Sequence, residues 1–560
     1  MSENLTSKIK KLWNNIWSAE RRAIISEPVN APTILKDIIE PHEAKYPTKI
    51  SMVTQELSYL PKEIDPAGII KTDGGVASVI ATKFEEFYNA GYDITLVIPE
   101  YYDMFRRKSN LSDKEFEEAL SLVAINPHVK LVNDGLFRHA DRIYDDESYA
   151  LSRMAVRRAI HLSKAIISIS IDSNRNFPKS EKISQLNEWG TALAAPAIKK
   201  YDILDMTKVE QVWHNVYTVE RPLYKLNQHG FNTQRYHKDL FYTNGFPSDD
   251  HGKDMYRLVV DFLSTGLLAA DRITSVGTEI VQKVLNGDLV RLGAMSEKMR
   301  EMIRDRVKKG ESEIVPNEPS RTADPELSPL LKIKYGTKDI MEGKARNKLE
   351  VQRLMQLEEN PDSPMFLLSY RFQRLNKRAD IALGVLEDVI HYYATAHDER
   401  PQFVIVADGE PDLISWAYNL QSKYPKQLSV NPFNIELEEL VLAGADYNIS
   451  TSGWENRGRL NILGPRYGNW PIVPLGVEGV HSFDKNQEKG NGWRYEYLNG
   501  DGLKYGINEA MKFQRQSFGY RKQHIQRARE QNLVEHSVDN MISKQLGVWE
   551  RMLDHELIKK

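Results

Sequence analysis

The 560-residue sequence contains no cysteine at all. That absence removes a disulfide framework, a zinc-thiolate centre and a thiol nucleophile from consideration together. No apolar run reaches the roughly 18 residues needed to span a bilayer, and the N-terminus has no basic segment followed by an apolar one. A cytoplasmic protein is expected. Neither sign of charge dominates, with 75 Lys and Arg against 78 Asp and Glu and a formal net charge of −3, so nucleic acid is not an expected partner. No period of about 20–50 residues recurs, which excludes a solenoid.

What is present is a hydrophobic content of 41% with Gly and Pro spread along the chain, as in a globular protein. Its length calls for more than one core. Residues 1–45 read as a helical extension, with Ile9, Leu12, Trp13, Ile16 and Trp17 at helical spacing beside Lys8, Lys10 and Lys11. Such a stripe docks on the protein's own surface or makes a peripheral membrane or partner contact. From 46 to 302, β-like runs (KISMVTQEL, VKLVND, AIISISI, VEQVWHNVY) alternate with helical stretches at 148–164, 190–200 and 258–285. This order predicts a parallel sheet with helices on both faces. Residues 303–342 are charged, contain Pro and read as an interdomain connection. A second domain over 343–510 opens with MFLLSYRF and runs through QFVIVADGEPD, LSVNPF, DYNIS and WPIVPLG, before polar helices at 511–560.

Three local patterns suit phosphate and sugar chemistry. In Ala443 to Val473 the β-prone YNIS runs into a TSG turn, after which Glu455 stands where a helix should begin. Such a turn offers backbone N–H groups and a helix N-terminus to a diphosphate. In SYRFQRLNKRADIAL, Arg371 closes a strand and Lys377 follows six residues later, before an apolar helix. Arg supplies a planar fork and Lys a point charge, the groups that neutralise a departing diphosphate. Near the N-terminus, a strand ending in VTQE leads to a Gly74-Gly75 loop and a helix, which lets backbone approach an anion closely. Read alone, each pattern also fits an ordinary loop. His214 after an apolar run equally fits a structural histidine, and Phe433 a core residue.

Together the segments resemble the bacterial glycogen and starch synthases, glucosyltransferases of the GT-B fold, over roughly residues 48 to 555. The match rests on AGAD (443–446), the Ser450 to Gly453 turn, Trp454-Glu455, Gly458, Tyr467-Gly468 and Pro471 to Val473, all in step without a gap. GKARNK (343–348) and ADGEPD (407–412) also align, and the Arg371/Lys377 spacing is closer to the eukaryotic glycogen synthases. The resemblance implies an α/β protein with two Rossmann-like domains facing a central cleft, whose last helices cross back to the first domain. It implies a retaining hexosyltransferase that moves glucose from ADP- or UDP-glucose to the end of an α-1,4-glucan. No metal or cofactor is implied beyond the nucleotide-sugar itself, and a homo-oligomer is compatible with it.

By the same resemblance Glu455, Arg371 and Lys377 are catalytic. Phe433, Gly74, Gly75, Gly453, Trp454, Gly458 and Arg459 bind the donor, and Asp134, Gly190, His214 and Asn215 line the acceptor and sugar side. Five positions depart from the family. Asn456 and Arg457 replace a Pro-Cys, Asp73 is inserted before Gly74-Gly75, Ser78 replaces an Asp, and in NEWGTALAAP (187–196) Gly190 replaces a sugar-contacting His. The last change leaves room for a different sugar or acceptor, or for a catalytically silent protein that binds a glucan or a partner.

Overall fold

A computed structural model describes residues 46–72, 76–140, 143, 153–202, 205–453, 457–486 and 488–560. The expected extension at 1–45, the Gly74-Gly75 loop and the Trp454-Glu455 pair lie outside the described residues. The chain divides into two compact units, one of residues 1–276, 282–315 and 542–560, the other of 277–281 and 316–541.

The first unit holds a seven-stranded parallel sheet. In chain order its strands are β1 (Lys49–Val53), β2 (Asp93–Pro99), β3 (Val129–Val132), β4 (Lys182–Asn187), β5 (Thr207–Trp213), β6 (Arg272–Ser275) and β7 (Ser312–Ile314). Their spatial order is β3-β2-β1-β4-β5-β6-β7, with β1 paired to both β2 and β4. The second unit holds a six-stranded parallel sheet of β8 (Met365–Leu368), β9 (Gln402–Val406), β10 (Leu428–Asn431), β11 (Tyr447–Ile449), β12 (Trp470–Pro474) and β13 (Trp493–Tyr495). Here the order is β10-β9-β8-β11-β12-β13. Strands covered on both faces are mostly apolar, and MFLL, QFVIV and WPIVP are buried at every position, the polar Gln402 included.

Both sheets reverse their strand order once, between β1 and β4 in the first unit and between β8 and β11 in the second. At such a reversal the loops leaving the two central strands diverge to opposite faces and open a crevice at the carboxyl ends, where ligands of doubly wound sheets bind. The loops that matter are therefore those after Val53, Asn187, Leu368 and Ile449.

Three local expectations are corrected. AIISISI lies inside a helix, Arg153–Asn176, with Ala155, Ala159, Leu162 and Ile166 on its buried side. Helical packing of that stripe overrides the strand preference of the β-branched residues. The stretch 258–285 is not one helical region: Val259–Asp261 and β6 are strands within it, and short apolar runs do not distinguish the two states. Ser312–Ile314, read as part of a connection, is the edge strand of the first sheet.

The last helix, Val538–Leu553, ends inside the first unit. There Trp549 is fully buried, its ring 4.6 Å from that of Phe87 and its indole N–H donated at 2.7 Å to Glu210. Glu210, at 0% exposure, also accepts from Gln545 at 2.9 Å and Gln185 at 2.9 Å. A buried carboxylate surrounded by donors fixes the helix where it lies. Among the described residues no helix is long and apolar enough to cross a membrane.

Candidate functional site

In the second unit the two loops at the strand reversal are fastened to one another. Thr451 Oγ1 donates to the Lys377 carbonyl at 2.7 Å and lies 3.0 Å from the Tyr370 hydroxyl. The Gly453 N–H donates to the Asn376 carbonyl at 2.8 Å. The segment 371–377 after β8 and the TSG turn after β11 thus form one surface, although 74 residues separate Thr451 from Lys377. Arg371 is exposed and makes no ion pair or hydrogen bond among the described residues. It stands as an available cation at the crevice.

The ADGEPD turn holds this segment from the other side, a role its sequence as a DG turn did not disclose. Phe372 N–H donates to the Asp408 carbonyl at 2.8 Å, and Glu410 N–H donates back to the Phe372 carbonyl at 2.8 Å. A Cβ on Gly409 would lie 2.1 Å from that same carbonyl oxygen, so only glycine permits the approach. Arg374 closes the clamp on Glu410 at 2.7 Å and on Asp412.

GKARNK is structural, and the contacts show how. Lys344 Nζ donates to the Ala445 carbonyl at 2.5 Å and the Tyr467 carbonyl at 3.2 Å, while Lys348 Nζ meets Asp446 at 2.6 Å. The AGAD turn is held by two buried lysines, and burial pulls Lys344 down to about 7. Phe433 follows the edge strand β10 with 44% of its surface exposed, which leaves a ring face open. Gly458 caps the helix Arg459–Arg466. Arg459 does not stand free, because its guanidinium is ion-paired with the buried Glu438.

In the first unit Gly190, His214 and Asn215 follow β4 and β5 beside the β1/β4 reversal, but Asp134 follows the edge strand β3. Both Asp134 oxygens are engaged, Oδ1 by the Leu136 N–H at 2.9 Å as a helix cap and Oδ2 by His161 at 2.8 Å. The four residues are not brought to one place. Burial pulls His214 down to about 3, with the Lys83 charge adding to the effect, so its ring is neutral. Asn215 closes a turn onto the Tyr217 N–H at 2.6 Å.

The Gln55 amide occupies the space a side chain at Gly190 would take. A Cβ there would lie 1.9 Å from Gln55 Oε1, and that oxygen is buried without a hydrogen-bond partner. Beside it, Glu188 directly follows β4 at φ 64°, a backbone conformation that costs a non-glycine residue about 1–3 kcal/mol. Its carboxyl accepts the His214 N–H at 2.7 Å, and burial, with the Glu56 charge adding, pushes it up to about 8. The site residues missed from the sequence are thus Gln55 and Glu188. Their signal was position at the ends of the two central strands.

The raised Glu188 carboxyl carries a pH prediction. Between its ordinary value of 4.5 and about 8 the folded protein retains a proton the unfolded chain has lost, so this contribution to stability fades as pH rises through that window. Glu188→Gln is neutral at every pH. Its stability relative to wild type should rise by roughly 1–2 kcal/mol from pH 5 to pH 8, after allowance for partial exposure. Urea midpoints at the two pH values check this, and a pH-independent difference contradicts it.

Among the described residues no group of three or more His, Asp or Glu could hold a metal ion. Residues 49–302 match the family model described as the starch synthase catalytic domain. A glycogen synthase of Clostridium novyi (strain NT) is 24% identical over 458 residues, 79% of this chain and 89% of its own length. A glycogen synthase of Bacillus cereus (strain B4264) is 26% identical over 258 residues, 45% of this chain and 51% of its own. The chain spans about half the length of such Bacillus relatives. The catalytic domain of starch synthase IV from Arabidopsis thaliana, bound to ADP and acarbose, superposes with a TM-score of 0.67 at 15% identity, covering 91% of this chain and 100% of that one. Sucrose-phosphate synthase from Thermosynechococcus elongatus gives 0.52 at 12% identity, with 90% and 99% covered. At such identities the structures speak to fold. In sequence the chain is similar to glycogen synthases, and over residues 49–302 to the starch synthase catalytic domain; its two reversed parallel sheets have the GT-B fold.

Proposed function

We propose that this protein is a retaining glucosyltransferase that takes glucose from ADP- or UDP-glucose and adds it to the non-reducing end of an α-1,4-glucan. The observation that carries this reading is Arg371, exposed and without an ion pair among the described residues, on a segment fastened to the Thr451–Gly453 turn at the strand reversal of the second sheet. As the bond from the anomeric carbon to the β-phosphate oxygen breaks, negative charge grows on the diphosphate. Arg371 and Lys377 stabilise it there, so no metal is required. Phe433 flanks the base by stacking. Glu455 holds sugar hydroxyls, with Trp454, Gly453 and Gly458 shaping that end, and the Gly74-Gly75 backbone meets the phosphates.

A second reading, transfer of another sugar or to another acceptor, is favoured by one observation. With Gln55 filling the space beside Gly190, the first unit presents an amide where the resemblance to the synthases implies an imidazole. The reaction class is the same under both readings and the substrate differs.

The test is a thermal-stability panel of ADP-, UDP- and GDP-glucose. One donor at about 100 times its dissociation constant should stabilise the protein by about 2.7 kcal/mol. No shift with any donor at millimolar concentration overturns both readings and leaves a silent GT-B protein that binds a glucan or a partner.

A further inference from the structure

On the helix Arg153–Asn176 the side chains of Arg157, His161 and Lys164 recur at four- and three-residue intervals and share one face. Packing does not require them, since Ala155, Ala159, Leu162 and Ile166 supply the buried side of that helix. The loop that ends the helix Leu223–Gln228 lies against the same face. It bends at Gly230, φ 79°, where a Cβ would lie 2.9 Å from Lys164 Nζ, so glycine leaves the ammonium uncrowded. Burial pulls the adjoining His229 ring below its ordinary value, and the charges of Arg157, His161 and Lys225 add to the effect. Basic side chains from two elements are thus gathered in one place of the first unit.

The counter-charge beside them is small. Burial acts to raise the Asp134 carboxyl, but the Leu136 N–H, His161 and the Lys164 charge together hold it below its ordinary value. Its Oδ2 is taken by His161 at 2.8 Å. Lys164 is exposed and makes no hydrogen bond or ion pair among the described residues. Arg157 reaches only the Met154 thioether among them, at 3.7 Å through Nη1, and its Nε is buried without a hydrogen-bond partner.

Like charges held together repel, and a bound anion relieves that repulsion. A phosphate group carries close to two charges and several acceptor oxygens, which suit a guanidinium fork beside an ammonium. Helix neighbours three and four residues apart are about 5–6 Å from each other at Cβ, a span that one such group bridges. We propose that Arg157, Lys164 and His229, with His161 beside them, form a binding site in the first unit for a phosphate group, borne by a sugar or free in solution. The site goes beyond the donor reading and does not rest on it, because the donor's diphosphate is assigned to Arg371 and Lys377.

Isothermal titration of the full-length protein with glucose 6-phosphate, inorganic phosphate and glucose tests the site. The two phosphates should bind and glucose should not. Glucose 6-phosphate at least tenfold tighter than inorganic phosphate makes the occupant a sugar phosphate, and equal affinities make it the free anion. Arg157→Ala and Lys164→Ala should each weaken binding by about tenfold or more, the loss of a charge-assisted hydrogen bond. Neither removes an internal ion pair, and Lys164→Glu, at an exposed position, should abolish binding even if Arg157→Ala does not fold. In Arg371→Ala the phosphates should bind within about twofold of wild type, so a failed donor reading leaves this result standing. Absence of heat with either phosphate at about 10 mM, above the range of millimolar binding, overturns the proposal. Binding that survives Lys164→Glu, or that is lost in Arg371→Ala, places the anion elsewhere and overturns it too.

Discussion

Replacing Arg371 with Ala should lower kcat/KM for the nucleotide-glucose by about two to three orders of magnitude, roughly 2.7–4 kcal/mol of transition-state stabilisation. The reasoning is local. Arg371 is exposed and has no partner among the described residues, so truncating it breaks no internal ion pair and leaves the fold intact. The variant should also lose the thermal protection the donor gives the wild type, while its ligand-free melting temperature stays within a degree or two. Arg371→Lys should recover only part of the rate, because an ammonium cannot present two parallel N–H groups to adjacent oxygens. If Arg371→Ala retains near wild-type kcat/KM, the diphosphate is held elsewhere.

The second large effect concerns the return of the last helix to the first unit. Trp549→Ala should destabilise that unit by about 3–5 kcal/mol, through loss of the ring against Phe87 and the cavity it leaves. A further cost comes from Glu210, a buried carboxylate that would lose the indole N–H at 2.7 Å. Trp549→Phe keeps most of the ring volume and loses that hydrogen bond, so its cost should be about 1–3 kcal/mol. Urea titrations followed by circular dichroism, with hydrogen exchange of β4 and β5, would measure both. An unchanged midpoint in Trp549→Ala would mean that the helix does not stabilise the first sheet.

The second sheet was legible because its strands are continuous apolar runs between turn signals, and burial on both faces requires that composition. The first sheet was harder to read. In AIISISI, β-branched residues carry a local strand preference, while the helix is decided by Ala155, Ala159, Leu162 and Ile166, positions that matter only once a neighbour packs on them. Ser312–Ile314 is too short and too polar to announce a strand, since an edge strand needs only one partner.

At the site, residue types and order were readable and their contacts were not. Arg371, Lys377 and the TSG turn were named through the resemblance, since read alone each also fits an ordinary loop. That Thr451 grips the Lys377 carbonyl across 74 residues follows from strands β8 and β11 being neighbours, which no local pattern encodes. Arg457 meets Glu318 and His536 across 139 and 79 residues for the same kind of reason. Gly190 was read as an empty place. The structure fills it with Gln55, a residue whose sequence neighbourhood gave no hint of the encounter.

Incubation of the protein with the donor that stabilises it and a defined malto-oligosaccharide, followed by mass and linkage analysis of the products, bears most directly on the proposed reaction. The account predicts products longer by single hexose units, joined by an α-1,4 bond at the non-reducing end. A protein that binds the donor tightly, yet releases only free glucose or leaves the oligosaccharide unextended, would contradict transfer to a glucan.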